Sequence, residues 1–285
     1  MKLVNKLLLL VLITTLMSCQ KSKEPKVFKE SDIAIIPKPV ELKLEEGTFQ
    51  FNDKTQFVIS DASQKMITSI LTDKFKNAAG WTLEVSEKAP QNNFIEFKLD
   101  ENLEEEAYQL EVNSDRVTII SKGNAGFLYG LETLRQLLPV SIESADLVSN
   151  ETWEIPNVKI TDQPRYKYRG LMLDVSRHFF EIDYLKKTID RLAMLKMNVL
   201  HLHLVDDQGW RIEIKKYPKL TEVGAWRVDQ EDKHWDGRYT TSADEKGTYG
   251  GFYTQEELKD LVAYAATKSI EIIPEIEMPA HVTSA

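Results

Sequence analysis

The spacing of hydrophobic residues predicts an α+β domain between residues 33 and 160. Residues 57 to 60 and 94 to 99 have the composition of strands, and residues 108 to 112 and 117 to 121 flank a hairpin turn. Met66, Ile67, Ile70, Leu71 and Phe75 recur at helical spacing, and a second helix over residues 126 to 138 is ended by Pro139. The acidic residues between 101 and 106 are expected to form a solvated face.

From Pro164 onward the pattern becomes a regular strand–helix–strand–helix–strand order. Strands are predicted over residues 169 to 175, 198 to 205 and 269 to 276. Asp183 is a candidate cap for the first helix, and Thr254 with Glu257 forms a capping box before the second. This order predicts a parallel sheet, either doubly wound or a barrel. The region has about 120 residues, whereas an eight-stranded barrel needs roughly 250, so we expect either a small sheet or part of a barrel.

Polar side chains follow each of the three predicted strands. They are Asp174, Ser176, Arg177 and His178 after the first strand, Asp206, Asp207 and Trp210 after the second, and Glu275, Glu277 and His281 after the third. Charged groups at the mouth of a parallel sheet are costly unless they are paired. The cluster therefore indicates either a polar pocket or a structural salt-bridge network. The absence of a glycine-rich phosphate fingerprint after these strands disfavours a nucleotide site.

Two residue pairs leave alternatives open. His201 and His203 face the same side of a strand, as metal ligands would, but they lie inside the strand, which favours buried, hydrogen-bonded core histidines. A zinc-dependent barrel hydrolase remains the metal alternative. Glu275 and Glu277 also share a face, with Cβ atoms about 7 Å apart, and could serve as the two carboxylates of a glycosidase.

Composition narrows the classes of partner. With 42% hydrophobic and 28% charged residues, the chain can bury a sizeable core. Its formal net charge of −9 argues against a nucleic-acid partner, because phosphate binding favours a basic face.

The N-terminus has the pattern of an export signal. Lys2 and Lys6 precede an apolar run over residues 7 to 16, which is too short to span a membrane. Cys19 is the only cysteine, and its position resembles that of the lipidated cysteine in bacterial lipoproteins. We therefore expect a signal peptide over residues 1 to 18, a tether over residues 19 to 32, and a lipoprotein anchored in the periplasm or at the outer membrane or cell surface. An ordinary signal peptide with a chance cysteine is the alternative.

Five long motifs occur in order from residue 168 onward: YRGLMLDVSRHFF, NVLHLHLVDDQGWRIEIKKYPKL, GAWR, YGGFYTQEELKDLVAYA and IIPEIEMPAH. In this order and at these spacings they resemble the glycoside hydrolase family 20 β-N-acetylhexosaminidases. The resemblance covers about residues 33 to 285. It implies that residues 33 to 160 are the family's small α+β (zincin-like) domain. Residues 161 to 285 would then be part of its (β/α)8 TIM barrel, about the first three βα units.

The resemblance also implies roles for individual residues. Arg177 would grip the hydroxyl groups of a terminal N-acetylhexosamine, and Asp206 would orient the polar groups of the pocket. A guanidinium fork suits vicinal hydroxyls because it presents parallel N–H donors. His281 would be a pocket histidine supported by carboxylate neighbours such as Glu277. The chain departs from the family's pattern at Glu277, where aspartate is usual, and at Ala280, where glycine is usual; the second departure matters only if that residue needs a positive φ.

The family's catalytic pair does not occur in these 285 residues. In the family the sugar's acetamido oxygen attacks the anomeric carbon, and an Asp-Glu pair after a Gly-Gly step assists it. Here Gly250-Gly251 runs into Phe252, so the pair is expected beyond Ala285. The resemblance implies an exo-β-N-acetylhexosaminidase that acts on glycans with terminal β-linked GlcNAc or GalNAc, without metal or cofactor. The 285-residue chain itself is expected to be inactive, and a non-catalytic sugar-binding lipoprotein is the alternative.

Overall fold

The computed structural model describes residues 27–234, 237, 242 and 244–285. The predicted signal peptide and Cys19 therefore lie outside the described residues. Within them, no helix has the length and the apolar character needed to cross a bilayer.

The first domain is built on one mixed sheet. Its strands are β1 (Glu41–Gln50), β2 (Gln56–Val58), β3 (Glu84–Ser86), β4 (Phe94–Leu99), β5 (Tyr108–Val112), β6 (Arg116–Ser121) and β7 (Glu154–Asp162). Their order across the sheet is β1-β7-β5-β6-β4-β2-β3. Helices α1 (Gln64–Ala78) and α2 (Asn124–Leu137) pack together beside it and bury an apolar core that includes Phe57, Leu71, Phe75, Ile119 and Leu131. Short 3-10 turns lie at Glu30–Asp32 and Val140–Glu143.

The long strands β1 and β7 pair with each other and were missing from the sequence prediction. In β1 the alternation of Leu42 and Leu44 is interrupted by an irregularity before Thr48, where Gly47 has φ 97°. A bulge of this kind breaks the period-two signal of a strand. In β7, Pro156 lies opposite Thr48 next to that irregularity, although proline normally argues against a strand.

The second domain carries a parallel sheet. Its strands are β8 (Gly170–Asp174), β9 (Val199–His203) and β14 (Glu271–Glu275), in the order β14-β9-β8. Helix α3 (Ile182–Met194) follows β8, and α5 (Gln255–Ala266) precedes β14. Between β9 and α5 lie the short pairs β10 (Val205–Asp206) with β11 (Gly209–Trp210) and β12 (Trp226–Arg227) with β13 (Tyr249–Gly250), and the single turn α4 (Lys219–Glu222).

One face of this sheet is apolar and the other is polar. Leu200 and Leu202 pack with side chains of α3 and α5, including Leu185, Ile189 and Leu261. The opposite face presents the row Asp174, His203 and Glu275, which are adjacent in register. A doubly wound sheet is covered by helices on both faces, whereas a barrel has them only outside. The observed arrangement is that of a barrel segment.

One of the two predicted helix starts was correct and the other was wrong. The capping box is present, because the Thr254 hydroxyl accepts a hydrogen bond from the Glu257 amide and the Glu257 carboxylate accepts one from the Thr254 amide. The predicted cap at Asp183 was wrong: helix α3 begins at Ile182, and Glu181 occupies the cap position with extended backbone angles. Asp183 instead lies in the first turn, where a negative charge still complements the helix dipole.

Two partly or fully buried polar networks join the domains. Lys196 Nζ lies 2.9 Å from Asp162 Oδ2 and 2.8 Å from the Tyr108 hydroxyl. Arg169 forms a two-pronged ion pair with Glu106, with Nη2–Oε1 at 2.6 Å and Nη1–Oε2 at 3.1 Å. The expectation that all acidic residues from 101 to 106 are solvated was therefore wrong for Glu106. Its ion pair forms only when the second domain is in place.

Candidate active site

The carboxyl ends of β8, β9 and β14 meet around one polar cavity. Its volume is about 530 Å³, and it is lined by Arg177, His178, Asp206, Asp207, Gln208, Glu231 and His281. Parallel strands place their carboxyl ends at the same edge, which is why residues 100 positions apart come together here. The structure thus brings the three predicted pocket residues, Arg177, Asp206 and His281, to one place.

Arg177 is held between two carboxylates. Its Nη1 donates to Asp174 Oδ2 at 2.8 Å, and its Nη2 lies 2.6 Å from Asp206 Oδ2. The Asp174 carboxylate also accepts the backbone N–H of Arg177. The side chain of Arg177 nevertheless stays 41% exposed, so the guanidinium is oriented from behind and presents a free face to the cavity.

Asp206 is the buried hub of the site, with a side chain only 1% exposed. Its Oδ1 accepts the Asp207 amide at 2.7 Å and lies 3.2 Å from His281 Nδ1. Its Oδ2 lies 2.9 Å from His203 Nε2 and faces Arg177. Burial alone would raise the pKa of this carboxyl, but the amide, His203 and Arg177 together hold the pKa below its ordinary value. Asp206 is therefore ionised and accepts from each of these groups.

His281 contacts a different carboxylate from the one predicted. Its ring meets Asp206, whereas the carboxyl group of Glu277 lies beside Glu275. Because the ionised Asp206 carboxylate can only accept, His281 Nδ1 donates the proton in this contact. The positive φ at this turn, 57°, belongs to His281 and not to Ala280, so alanine in place of the family's glycine meets no backbone strain.

The prediction of buried core histidines was wrong for His201, which is 29% exposed, but correct for His203, which contacts two carboxylates of the site. The His203 side chain is 7% exposed, and its Nδ1 lies 2.8 Å from Glu275 Oε2. The same carboxylate oxygen lies 2.8 Å from His201 Nε2. Strand parity already put His201 and His203 on one face. The position of Glu275 opposite them depends on the parallel register between β9 and β14, which the sequence alone does not reveal.

In the outer wall of the cavity, His178 was among the polar residues predicted to follow the first strand, whereas its partners Tyr249 and Glu231 and the neighbouring Arg227 were not. His178 Nδ1 lies 2.8 Å from the Tyr249 hydroxyl and 3.1 Å from Glu231 Oε2. Arg227 donates to Glu231 Oε1 at 2.7 Å and to the backbone carbonyl of Arg177 at 2.8 Å. Arg227 is the last residue of the GAWR motif, one of the motifs that carry the family resemblance, so the sequence could have indicated it. Glu231 lies in a polar loop without a motif, so no pattern pointed to it.

The loop that carries His281 is tied to the hairpin of Asp206. Thr283 donates from its amide and its hydroxyl to Asp207 Oδ1, at 3.1 and 2.7 Å. The Ser284 hydroxyl donates to the backbone carbonyl of Asp206 at 2.7 Å. These bonds fix the position of His281 relative to Asp206.

Arg211 supports the site from beneath and is completely buried. Its guanidinium donates to the backbone carbonyls of Val175, Ser176, Ala225 and Gly251. Burial lowers the pKa of Arg211 to about 10, with the nearby Arg227 adding to the effect. The carbonyl groups that accept from Arg211 belong to the loop after β8 and to the residues just before β12 and just after β13. Arg211 therefore fixes the loop from which Arg177 and His178 project.

Two groups of side chains have the composition of metal ligands. His203, Glu275 and Glu277 form one, and Asp206, Asp207 and His281 form the other, each with candidate ligand atoms within 4.8 Å of one another. Among the described residues, both ring nitrogens of His203 already have carboxylate partners, and Arg177 Nη2 contacts Asp206 Oδ2. These contacts satisfy His203 and Asp206 without a cation.

Comparisons with known proteins agree with this architecture. The model of glycosyl hydrolase family 20, domain 2, matches residues 32–163, and that of the glycosyl hydrolase family 20 catalytic domain matches residues 166–285. A β-hexosaminidase of Porphyromonas gingivalis is 41% identical over 279 residues, which are 95% of this chain and 34% of the relative. A β-N-acetylhexosaminidase of Cellulomonas fimi is 35% identical, over 89% of this chain and 48% of the relative.

Solved structures give the same result. The family 20 β-N-acetylhexosaminidase of Streptomyces coelicolor superimposes with a TM-score of 0.78 at 33% identity, covering 88% of this chain and 47% of that one. The Vibrio harveyi exo-β-N-acetylglucosaminidase in complex with N-acetylglucosamine has a TM-score of 0.74 at 36% identity, covering 88% and 37%. The chain thus spans less than half the length of these relatives. It belongs to glycosyl hydrolase family 20, and its fold is an N-terminal α+β domain followed by part of the catalytic TIM barrel.

Proposed function

We propose that the protein is an exo-β-N-acetylhexosaminidase that removes terminal β-linked GlcNAc or GalNAc from glycans by the retaining, substrate-assisted route. The arrangement of Arg177, Asp206 and His281 around one cavity is the observation that carries the proposal. The hexosaminidase relatives and the N-acetylglucosamine complex of the Vibrio harveyi enzyme support it.

The three residues would have different roles in the pocket: Arg177 and His281 would contact the sugar, and Asp206 would position them. The exposed face of the Arg177 guanidinium would bind two neighbouring sugar hydroxyls, since its fork offers parallel donors. His281 would meet the sugar through Nε2. Asp206 has no room for the sugar, because it is 1% exposed and surrounded by its donors. Its part would be to hold Arg177 and His281 at fixed positions and to offset the positive charge of the guanidinium.

Binding of N-acetylglucosamine to the full chain tests the pocket. Titration calorimetry should show binding that Arg177→Ala weakens at least tenfold, which corresponds to about 1.4 kcal/mol for a lost charged hydrogen bond. Arg116→Ala is the matched control, because Arg116 is exposed on β6 in the other domain. Equal binding by all three proteins would contradict the assignment of Arg177.

Turnover of an aryl N-acetyl-β-glucosaminide tests the reaction. We expect the 285-residue chain to bind the sugar without hydrolysing the substrate. Hydrolysis by this chain would contradict that expectation. A Glu275→Gln and a Glu277→Gln variant would then show whether either carboxyl group supplies the acid.

We also propose that the protein is exported and anchored to a membrane by a lipid on Cys19. The charged start, the short apolar run and the position of the cysteine support this. Cells fed an alkyne fatty acid should label the protein, and Cys19→Ser should abolish the label and release the protein from the membrane fraction. Labelling that survives Cys19→Ser would refute the anchor.

A further inference from the structure

His203 has an ion-pair partner on each side of its ring. Nε2 lies 2.9 Å from Asp206 Oδ2, and Nδ1 lies 2.8 Å from Glu275 Oε2. A neutral imidazole has one N–H donor, and an ionised carboxylate can only accept. Both contacts can be hydrogen bonds only if the ring carries two protons, or if one carboxyl group is itself protonated.

The surrounding charges decide between these two states. The titratable and charged groups around the ring are Asp174 and Arg177 from β8 and its loop, His201 from β9, Asp206 and Asp207 from the hairpin, and Glu275, Glu277 and His281 from β14 and the segment after it. Carboxylates outnumber the one guanidinium, whose Nη1 lies 3.4 Å from His203 Nε2. Both direct partners have lowered pKa values. Burial acts to raise the pKa of Asp206, but the Asp207 amide, His203 and Arg177 lower it, and the pKa of Glu275 is lowered chiefly by its hydrogen bond with His203. The shared protons therefore belong to the ring.

We propose that His203 is a positioning residue of the sugar pocket, a bridging imidazolium that fixes Asp206 with one N–H group and Glu275 with the other. Its place in the pocket rests on the proposed function, whereas its protonation state does not. Burial opposes the ring's charge, but the bonds to Glu275 and Asp206 outweigh it and raise the pKa of His203.

The bridge belongs to a longer row of alternating rings and carboxylates. It runs through His281, Asp206, His203, Glu275 and His201, with successive contacts of 3.2, 2.9, 2.8 and 2.8 Å. If His203 lost a proton, one of its two carboxylates would lose its hydrogen bond. Where that carboxylate is Asp206, it would keep three of its four donors but lose the one that fixes it from behind, so Arg177 and His281 would be less firmly oriented. The pocket is therefore held together below the raised pKa of His203 and loosens as the pH rises through it.

Nuclear magnetic resonance of the full chain, labelled with ¹⁵N in its histidine rings, tests the protonation state without any sugar. His203→Gln assigns the signal. We expect both ring nitrogens of His203 to be protonated at pH 7, where a histidine with the ordinary pKa of about 6.5 would be mostly neutral. In Glu275→Gln, which keeps the shape but removes one negative charge, the ring should lose its proton at lower pH than in the parent chain. Glu271→Gln is the matched control, since Glu271 is an exposed glutamate at the start of the same strand.

Sugar affinity measured with the same proteins tests the positioning role. As the pH is raised from 6, the affinity of Glu275→Gln for N-acetylglucosamine should fall at least fivefold, and this fall should occur at a lower pH than in the parent chain and in Glu271→Gln. A neutral His203 at pH 7 in the parent chain would overturn the proposal. So would an affinity of Glu275→Gln that falls at no lower pH than that of the control. If the parent chain binds no sugar at any pH, the proposed function fails, and the resonance experiment alone decides whether His203 is the bridging imidazolium.

Discussion

Replacing Lys196 by methionine is expected to weaken the junction between the two domains severely. The Lys196 side chain is 6% exposed and that of its partner Asp162 is 11% exposed, so neither charge is solvated. Methionine fills a similar volume without a charge. Asp162 would then remain buried with only neutral donors, the Tyr108 hydroxyl at 2.9 Å and the Val40 amide at 3.2 Å.

The size of the effect follows from the burial of the pair. Removing one partner of a buried ion pair costs about 3–5 kcal/mol, because the other charge is left uncompensated. With a urea dependence of about 2 kcal/mol per molar, the unfolding midpoint should fall by about 1.5–2.5 M. Lys159→Met is the matched control: Lys159 is 56% exposed and lies 3.4 Å from Glu45. Surface pairs of this kind contribute about 0–1 kcal/mol, so its midpoint should move by less than about 0.5 M.

Urea unfolding followed by circular dichroism measures both variants. The double variant Lys196→Met with Asp162→Asn adds a sharper test, because asparagine removes the unpaired charge and can still accept the Val40 amide. It should recover part of the loss seen in the single variant. A Lys196→Met variant no less stable than Lys159→Met would show that the ion pair does not hold the junction. So would a double variant whose loss of unfolding free energy exceeds the sum of the losses of its two single changes.

Three further changes test other parts of the fold. Arg211→Lys should lower stability by about 2 kcal/mol or more, because an ammonium group cannot reach the backbone carbonyls that the guanidinium collects; an unchanged melting temperature would refute this. Gly209→Ala should be destabilising, since the added Cβ would overlap the Arg211 guanidinium, while Gly237→Ala meets no heavy atom within 4 Å and should leave the melting temperature unchanged. Equal melting temperatures of the two alanine variants would count against the clash. Burial acts to raise the pKa of Glu143, but its two cationic partners lower it to about 2. The stability that Glu143 contributes should therefore be complete above its ordinary pKa of about 4.3 and be lost as the pH falls towards 2. In Glu143→Gln the free energy of unfolding should fall less steeply over this acid range. An unchanged slope would contradict this prediction.

Elements with an uninterrupted local pattern could be predicted from the sequence. Strand β4 was predicted with its observed bounds, and the hairpin of β5 and β6 was predicted to within one residue. The capping box at Thr254 was correct because its two hydrogen bonds depend only on residues three positions apart. The pair of β1 and β7 was missed because its irregularity and Pro156 hide the strand signal, and because its partners are more than 100 residues apart.

Local sequence patterns were also insufficient to predict which residues of the site contact one another. Periodicity placed His201 and His203 on one face of a strand but could not say what that face would meet. The answer depends on the register of β14 against β9, which sets Glu275 opposite His203. Glu277 was expected to support His281, but the turn after β14 brings His281 to Asp206 instead. Long-range register and turn geometry are properties of the packed sheet, so local pattern could select the residue types of the site but not their partners.

The saturation of Asp206 has a consequence for how the pocket would recognise its ligand. An ionised carboxylate has about four acceptor positions, and Asp206 meets four donors: the Asp207 amide, His281, His203 and Arg177. A sugar hydroxyl could bind Asp206 only by displacing one of them. Recognition must therefore come from groups that still face the cavity, among them the guanidinium of Arg177, the ring of His281 and the outer wall at His178 and Glu231. Because two of these groups are oriented by Asp206, and Asp206 in turn by His203, the precision of the pocket depends on a charge that lies behind its wall.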